Sequence, residues 1–244
     1  RDLVLRGFDV TLVESGDLAS GTSSRFHGML QSGARYVVSD TSYAAECMRE
    51  RRIIAHLAPA AVEQTGGLFV QLPGDPEDYA DKFFMQCAVA EIPCEELDPE
   101  KVMTEEPAIS RRVRRVFGIP DATVQPWRLM NLLADDIRHH GGRILLRHRA
   151  GRIDVKNGRA AGVEVSGTNG TIYLPADLVV NAAGPWAGRI AAMVGQDTDI
   201  ELGKGSIIVF AHRMVRRVVN RCRPPTSHDI IVPTGTVSLF GTTS

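Results

Sequence analysis

In the first fifteen residues, RDLVLRGFDVTLVES, the hydrophobic pattern changes at Gly7 from that of a helix to that of a strand. Residues 1–6 have the pattern of the end of a helix, and Gly7 is well placed as its C-terminal stop. The β-branched run at 8–14 predicts a strand that ends in Glu14. Helix, glycine, strand and acid form the second half of a βαβ dinucleotide-binding unit, although any α/β strand can end in glutamate.

In such a unit the acid accepts hydrogen bonds from ribose hydroxyls and stands about 20 residues after a glycine-rich loop. Only 13 residues precede Glu14. We therefore expect the glycine loop to lie upstream of Arg1, which makes this sequence a segment of a longer protein.

Helices and strands alternate along the rest of the chain. The further predicted helices are 40–58, 76–92, one that starts at Asp98–Pro99 and one that starts near Pro126. The further predicted strands are 66–73 and a series within 143–183, with turns at Asn157–Gly158 and Asn169–Gly170 and a buried apolar strand at 177–183.

The segment NAAGPWAG continues the strand at 177–183 into a predicted helix. Small residues let the backbone come close to whatever lies above the sheet, and a helix start attracts negative charge. Tight packing of the strand against the helix would require the same small residues, so both interpretations stay open at this point.

Composition narrows the class of protein. The 244 residues are 43% hydrophobic and 23% charged, with a net charge of −1, so no global field attracts nucleic acid or an anionic membrane.

The arginines at 111–115 predict a solvated turn. The four cysteines (47, 87, 94 and 222) lack the spacing of a zinc site or a disulfide framework, which favours a reducing cytoplasm. No apolar run reaches the roughly 18 residues of a membrane span.

The segment GTSSRFHGMLQSGARY, residues 21–36, contains the densest candidate chemistry. Its small and hydroxylated residues suit either an ordinary loop or a backbone against which a flat, charged molecule lies. Four such residues in a row offer N–H and O–H donors with little steric bulk, as a diphosphate requires.

Five segments in this order, VTLVE, GTSSRFHGMLQSGARY, NAAGPWA, KGSIIVF and FGTT, resemble FAD-dependent glycerol-3-phosphate dehydrogenases. That family lies in the wider glutathione-reductase-like group with the D-amino-acid, glycine and sarcosine oxidases. HGMLQSGARY and NRCRPPTSHDIIVPTGTVSLFGTTS are most similar to the large catalytic subunit of the anaerobic type. The resemblance implies an α/β fold in which a Rossmann-like FAD-binding domain is interleaved with an α+β substrate domain bearing an antiparallel sheet.

The resemblance also implies a set of cofactor contacts. Glu14 would bind the adenosine ribose, Ala150 the adenine edge, and the hydroxylated loop the pyrophosphate, with His27 and Gly28 near the isoalloxazine ring. The complete implied set of FAD-binding residues is Glu14, Gly21, Thr22, Ser23, Ser24, His27, Gly28, Ala150, Ala183, Gly184 and Trp186.

Arg35 and Tyr36 match a pair that faces the substrate in this family, and Lys204 and Thr243 are further candidates. An arginine fork beside the flavin suits a substrate phosphate, which carries up to two negative charges. The implied reaction oxidises sn-glycerol 3-phosphate to dihydroxyacetone phosphate. The resemblance leaves the general base unassigned. Partner subunits would pass the electrons to a membrane quinone, from a site that is cytoplasmic or peripheral on the inner face of the membrane.

The expected domain boundaries are 1–62 and 127–190 for the FAD-binding domain, and 63–126 and 191–244 for the substrate domain. The glycine fingerprint and the family's C-terminal part, with a substrate arginine and a segment closing over the flavin, have no counterpart in the sequence. We therefore expect this chain alone to bind FAD poorly and to have marginal stability, with an exposed apolar sheet edge.

Two other functions fit the same residues. An amine or 2-hydroxy-acid oxidase of the same group would need one carboxylate-binding arginine. A non-catalytic nucleotide-binding module would bind adenine nucleotides without flavin reduction. A nicotinamide dehydrogenase is disfavoured, because the loop after Glu14 follows the flavoprotein pattern.

Overall fold

The computed structural model describes residues 1–226 and 229–241. These residues form two compact units, and each unit is built from two separate stretches of chain. The first unit contains Arg1–Arg25 and Trp127–Gly203, and the second contains Phe26–Pro126 and the described residues from Lys204 onward.

The two units alternate along the chain, and two segments group differently from the domain boundaries given above. Residues 26–62 group with the second unit, because Ala44 and Met48 belong to its hydrophobic core. Residues 191–203 group with the first unit, where Thr198 Oγ1 lies 3.2 Å from the Cβ position of Gly188. Which residues form the two functional domains stays a prediction.

The helices of the described chain are α1 (Asp2–Leu5), α2 (Thr41–Leu57), α3 (Glu77–Val89), α4 (Pro99–Glu105), α5 (Pro126–His139) and α6 (Ala187–Ala192). The strands are β1 (Thr11–Glu14), β2 (Met29–Leu30), β3 (Val62–Glu63), β4 (Gly67–Gln71), β5 (Glu95–Leu97), β6 (Arg115–Ile119), β7 (Ala122–Val124), β8 (Arg143–Leu146), β9 (Arg149–Lys156), β10 (Arg159–Gly167), β11 (Gly170–Pro175), β12 (Ile208–Phe210), β13 (Val218–Arg221), β14 (Ile230–Thr234) and β15 (Val237–Phe240).

Local signals in the sequence account for several helix boundaries. Gly7 ends α1 with a φ of +88°, where its N–H donates to the carbonyl of Val4 at 2.9 Å. The carboxylate of Asp40 caps α2 by accepting from the N–H of Tyr43, and the carboxylate of Asp98 caps α4. The helix predictions are therefore confirmed, with boundaries that differ by at most three residues.

In the first unit, β1 pairs in parallel with β8, and β9, β10 and β11 form an antiparallel sheet. Asn157 and Gly158 both have positive φ, which is the two-residue hairpin turn that their sequence predicts. The second predicted turn lies at 168–169 and leads into Gly170, the first residue of β11. The hairpins of this unit are therefore confirmed.

The predicted strand at 177–183 is wrong for the described structure, where this segment belongs to no sheet. Leu178 and Val180 are 70% and 62% exposed. A strand is stable only beside a neighbour that satisfies its N–H and C=O groups. The described parallel sheet contains β1 and β8, and neither strand pairs with this segment.

The second unit contains a seven-stranded sheet in the order β12-β15-β14-β13-β4-β6-β5 among the described residues. All its neighbouring pairs are antiparallel except β13 and β4, so the sheet is mixed rather than purely antiparallel as expected. A smaller described sheet has the order β2-β7-β3.

Both faces of β4 are covered, which explains its uninterrupted burial. On one face, Phe69 stacks on Phe83 of α3 with ring centroids 4.5 Å apart. On the opposite face, Leu68 and Val70 pack with Val102 of α4. Side chains alternate across a strand, so β4 supplies a hydrophobic residue to each core.

The arginine-rich segment lies largely as its sequence predicts. Arg111 and Arg112 lie in an exposed turn, but Arg115 begins β6 and donates to both Glu96 and Asp81 at 2.7 Å. All four cysteines are free thiols.

Candidate functional site

Glu14 lies at the end of β1 in the first unit. Its Oε1 accepts a hydrogen bond from the N–H of Gly16 at 2.6 Å, and its backbone carbonyl accepts from the N–H of His148 at 3.0 Å. These contacts fix the strand end and leave the other carboxylate oxygen able to accept from a ligand hydroxyl. Ala150, the second residue of β9, follows His148 closely and pairs with Val165.

The loop at 21–24 forms a short 3₁₀ turn at Thr22–Ser24. The hydroxyl of Ser24 donates to the carbonyl of Ala19 at 2.6 Å and holds the loop together. Thr22 and Ser23 are exposed, and no hydrogen bond within the described chain engages their hydroxyls. Both hydroxyls are therefore available as donors, which is the chemistry that a diphosphate requires.

The indole of Trp186, which comes from the second stretch of this unit, packs against the loop. A Cβ built on Gly21 would lie 3.3 Å from the indole ring, so only glycine gives the ring this approach without a shift. Trp186 ends a 3₁₀ turn that begins at Gly184, whose φ is +54°, and the N–H of Trp186 donates to the carbonyl of Ala183 at 3.0 Å. The first unit thus brings Trp186 against the hydroxylated loop.

These residues fit a dinucleotide such as FAD. The available carboxylate oxygen of Glu14 can accept from ribose hydroxyls, and the hydroxyls of Thr22 and Ser23 can donate to a diphosphate. Because Gly21 has no side chain, the backbone of the loop stays accessible beside the Trp186 indole. The donor set is chemically consistent with the predicted role of each residue. That role stays a prediction for the individual residues.

The second unit contains a cavity of about 420 Å³, within the usual size of small-molecule sites. It brings together three residues predicted from the sequence, His27, Arg35 and Tyr36. Its lining is Phe26, His27, Met29, Gln31, Arg35, Tyr36, Thr226, Asp229, Ile230 and Gly241.

His27 is held as a neutral imidazole in this cavity. Its Nδ1 accepts a hydrogen bond from the N–H of Met29 at 3.1 Å, which places the proton of the neutral ring on Nε2. Burial lowers the pKa of His27 below its usual value of 6.5, and the positive charge of Arg35 lowers it further. His27 is therefore a hydrogen-bond donor through Nε2 at neutral pH, and its basic nitrogen is already occupied.

Gly33 and the 3₁₀ turn at Ala34–Tyr36 present Arg35 and Tyr36. Gly33 has a φ of +91°, and its carbonyl accepts from the N–H of Tyr36 at 2.9 Å. The guanidinium of Arg35 donates to the carbonyl of Thr226 at 2.8 Å. The ring of Tyr36 meets Tyr43 of α2 edge-on, with centroids 5.3 Å apart. The turn and these two contacts fix the direction of both side chains.

Asp229 is a cavity residue that the sequence patterns did not indicate. Its carboxylate accepts from the guanidinium of Arg223 at 2.6 Å and from the N–H and hydroxyl of Thr226 at 2.9 and 2.7 Å. Burial alone would raise the pKa of Asp229, but the hydrogen bonds of Arg223 and Thr226 outweigh it and lower the pKa below its usual value. Asp229 is thus an ionised, fully engaged carboxylate and a poor general base.

Three other predicted residues lie apart from this cavity or outside the described structure. Gly28 is buried directly before β2, and its carbonyl accepts from the N–H of Val124 at 2.7 Å. Lys204 lies in the exposed, irregular segment 201–207 and does not line the cavity. Thr243 lies outside the described residues, although Gly241, close to it in sequence, lines the cavity.

A family model described as FAD dependent oxidoreductase matches residues 1–244. One subunit of the anaerobic glycerol-3-phosphate dehydrogenase of Haloferax volcanii is 41% identical over the whole chain, which covers 43% of that protein. One subunit of the anaerobic glycerol-3-phosphate dehydrogenase of Escherichia coli K12 is 40% identical over the whole chain, with 45% of its length covered. The chain thus spans less than half the length of these curated relatives.

Solved structures share the fold. Glycine oxidase from Geobacillus kaustophilus superposes with a TM-score of 0.75 at 22% identity, over 99% of this chain and 66% of that one. The FAD-complexed glycerol-3-phosphate dehydrogenase from Bacillus halodurans gives 0.69 at 20% identity, over 99% and 44%. These likenesses confirm the predicted α/β architecture. Across the described residues, no helix has both the length and the apolarity needed to cross a bilayer.

Proposed function

This chain belongs to the family of FAD-dependent oxidoreductases, and we propose that the protein containing it oxidises sn-glycerol 3-phosphate to dihydroxyacetone phosphate. The FAD prediction is confirmed at the level of the family. The observation that carries the substrate proposal is the cavity in which the Arg35 guanidinium adjoins the neutral His27. The roughly 40% identity to subunits of anaerobic glycerol-3-phosphate dehydrogenases supports the same substrate.

Charge favours a phosphate ester in this cavity. Arg35 and Arg223 are cationic, Asp229 is anionic and His27 is neutral, so these groups together leave one net positive charge. A guanidinium binds phosphate oxygens through parallel N–H donors, which orients the substrate as well as attracting it. Arg35 would hold the phosphate and thereby fix the position of the carbon that is oxidised.

His27 has a different task. Because Nδ1 accepts from the N–H of Met29, the imidazole offers its Nε2 proton to an oxygen of a ligand in the cavity. Bound FAD would supply the hydride acceptor. Glu14 and the hydroxyls of Thr22 and Ser23 would hold the cofactor, since these groups offer the acceptor and donors that ribose and diphosphate need. The chain's own contribution is orientation and charge neutralisation.

The test uses the full-length protein, purified with FAD and kept free of oxygen. The flavin absorption band is recorded before and after addition of glycerol 3-phosphate, with D-alanine, glycine and 2-hydroxyglutarate as alternative substrates. Bleaching by the phosphate ester alone is the expected result. Bleaching only by an amino acid or a hydroxy acid would instead establish an oxidase of the same fold, and adenine-nucleotide binding without any reduction would establish a nucleotide-binding module.

The role of Arg35 is tested in the same assay. Arg35→Ala should raise the glycerol 3-phosphate concentration needed for half-maximal bleaching by roughly 100-fold, as expected for a lost charge-assisted contact of about 3 kcal/mol. Arg111→Ala is the matched control, because Arg111 lies in an exposed turn and does not line the cavity. Equal effects of the two substitutions would refute a phosphate-binding role for Arg35.

We further propose that the protein acts in the cytoplasm or at the inner face of the membrane and passes electrons to a quinone through partner subunits. The relatives named above are themselves described as subunits, which supports an assembly. Fractionation of cells and gentle purification of the full-length protein test this. Recovery as an isolated protein that reduces a soluble quinone directly would argue against it.

A further inference from the structure

Asp229 occupies an unusual position for a carboxylate beside a cavity that should attract an anion. Its side chain is only 2% exposed, yet the residue lines the cavity. Oδ1 accepts from Arg223 at 2.6 Å, while Oδ2 accepts both the N–H and the hydroxyl of Thr226, at 2.9 and 2.7 Å. The two bonds to Oδ2 come from the same residue, so Asp229 clamps Thr226 in one orientation.

Thr226 in turn contacts the residue to which the substrate proposal assigns the phosphate. Its carbonyl oxygen accepts from the Arg35 guanidinium at 2.8 Å. Thr226 is exposed, and its hydroxyl also accepts from the guanidinium of Arg223 at 2.9 Å, so hydrogen bonds rather than packing hold this residue. Holding the N–H and the hydroxyl of Thr226 restricts the motion of this residue and thereby of the carbonyl that Arg35 binds.

We propose that Asp229 is a positioning residue that orients Arg35 through Thr226. The proposal rests on the function proposed above, in which Arg35 binds the phosphate of the substrate. A guanidinium has five N–H donors, and one bond to Thr226 leaves the others for phosphate oxygens. An arginine that is already ordered loses less conformational entropy when it binds, so pre-organisation strengthens substrate binding without changing the chemical step.

The arrangement also explains why an acid is tolerated beside the cavity. Arg223 neutralises Asp229, and the three donors occupy its carboxylate. The anion consequently presents little repulsion to an incoming phosphate. Asp229 does not need to touch the substrate to affect its binding.

Asp75 provides a matched control in the same unit. Its side chain is also 2% exposed, its Oδ1 accepts from the guanidinium of Arg221 at 2.6 Å, and its Oδ2 accepts from the N–H of Leu72 at 2.8 Å. Asp75 does not line the cavity. Replacing either aspartate by asparagine removes a buried carboxylate from an arginine, but only one replacement disturbs Thr226.

The experiment measures flavin reduction kinetics of the full-length, FAD-loaded protein with glycerol 3-phosphate. Asp229→Asn should raise KM about tenfold while kcat changes less than twofold, and Asp75→Asn should leave both within twofold. Asp229→Glu, which keeps the charge, should recover part of the loss. In an Arg35→Ala background, Asp229→Asn should add less than a twofold change, because the guanidinium that it positions is gone.

An unchanged KM in Asp229→Asn, or an equal change in Asp75→Asn, would overturn the positioning role while leaving the substrate intact. A tenfold further rise in KM in the Arg35→Ala background would also overturn it, because Asp229 would then act independently of Arg35. If the wild-type flavin is not reduced by glycerol 3-phosphate at all, the proposed function fails, and the positioning role fails with it.

Discussion

The indole of Trp186 lies directly over Gly21, so that a Cβ at position 21 would come within 3.3 Å of the ring. The two residues are 165 positions apart in the chain but belong to the same unit. The contact joins the hydroxylated loop after β1 to the 3₁₀ turn that precedes α6. Because Gly21 has no side chain, the indole can lie against the backbone of the loop.

Replacing Gly21 by valine should displace the indole. The backbone φ at Gly21 is −90°, outside the left-handed region, and the added side chain would overlap the ring. Overpacking of this kind costs about 1–3 kcal/mol, and we expect about 1–2 kcal/mol because the ring is half exposed. Urea unfolding measures the loss of stability. Tryptophan fluorescence in a Trp127→Phe background reports the environment of Trp186 alone, since the chain has two tryptophans.

Gly151→Val is the control for this substitution. A Cβ at Gly151 would make only an ordinary contact, 3.8 Å from the carbonyl oxygen of Glu164. The control should leave the Trp186 emission unchanged. A Gly21→Val variant with wild-type emission would show that the indole does not rest on the loop in solution.

Gly33 should tolerate substitution far less than any exposed glycine. Its φ of +91° disfavours a side chain, and a Cβ would lie 2.3 Å from the carbonyl oxygen of Ala44 in α2. Backbone strain of about 1–2 kcal/mol adds to a clash with helix backbone that cannot rotate away, so Gly33→Ala should cost about 3–4 kcal/mol. Chemical denaturation measures this loss.

Gly74→Ala separates the two contributions. Gly74 has a nearly equal φ of +94°, but no atom lies within 4 Å of its Cβ position. This control should cost only the backbone strain, about 1 kcal/mol. Equal losses in the two variants would mean that α2 does not pack against the turn that presents Arg35.

Local signals made the helices predictable, because each signal and the helix end that it determines lie within a few residues. Asp40, Asp98 and Gly7 illustrate this, since each contacts backbone no more than three positions away. The strand expected at 177–183 failed for the opposite reason. The apolar pattern of 177–183 indicates only that these side chains can be buried. Whether the segment forms a strand depends on a neighbouring strand from elsewhere in the chain.

In the candidate site, too, the residues that depend on a local segment could be predicted, and the one that depends on distant contacts could not. Arg35 and Tyr36 could be proposed from the segment that contains them, and so could the hydroxylated loop. Asp229 could not, because its importance depends on contacts with Thr226 and Arg223 and on a cavity that includes residues nearly 200 positions earlier. No periodicity in the sequence encodes such a juxtaposition.

The stability of the second unit should depend on the protonation of Asp121. This residue is 1% exposed, and its Oδ1 accepts from the N–H of Ser32 at 2.7 Å. Burial raises the pKa of Asp121 to about 6, despite opposing contributions from Ser32 and from the charge of Arg51. The folded state therefore binds this proton more tightly than the unfolded state, where the pKa is near 3.8.

A raised folded-state pKa stabilises the fold fully below about pH 4, and the contribution is lost as the pH rises through about 6. Asp121→Asn removes the titration. The free energy of unfolding of Asp121→Asn minus that of the wild type should therefore rise by roughly 3 kcal/mol from pH 4 to pH 7. Urea unfolding at several pH values measures the difference. A difference that stays flat across this pH range would mean that the Asp121 carboxyl has the same pKa in the folded and unfolded states.

Glu106 should be among the most sensitive charged residues of the second unit. It is 1% exposed, its Oε2 accepts from the N–H of Arg216 at 2.8 Å, and its Oε1 accepts from the N–H and the Nε of Arg217, both at 3.2 Å. These bonds connect the end of α4 to the segment that leads into β13. Glu106→Ala would leave two backbone donors without their acceptor and remove one of the two carboxylates that Arg217 pairs with, so we expect a loss of about 3–5 kcal/mol in urea unfolding.

The neighbouring Glu105 separates the effect of burial from that of charge. It pairs with the same Arg217, but its side chain is 41% exposed. Water can replace the lost carboxylate there, and Glu105→Ala should therefore cost less than about 1 kcal/mol. If both variants lost the same stability, the ion pair with Arg217 would be the stabilising interaction. A loss confined to Glu106→Ala would instead identify the backbone N–H groups of Arg216 and Arg217 as the groups that require this acid.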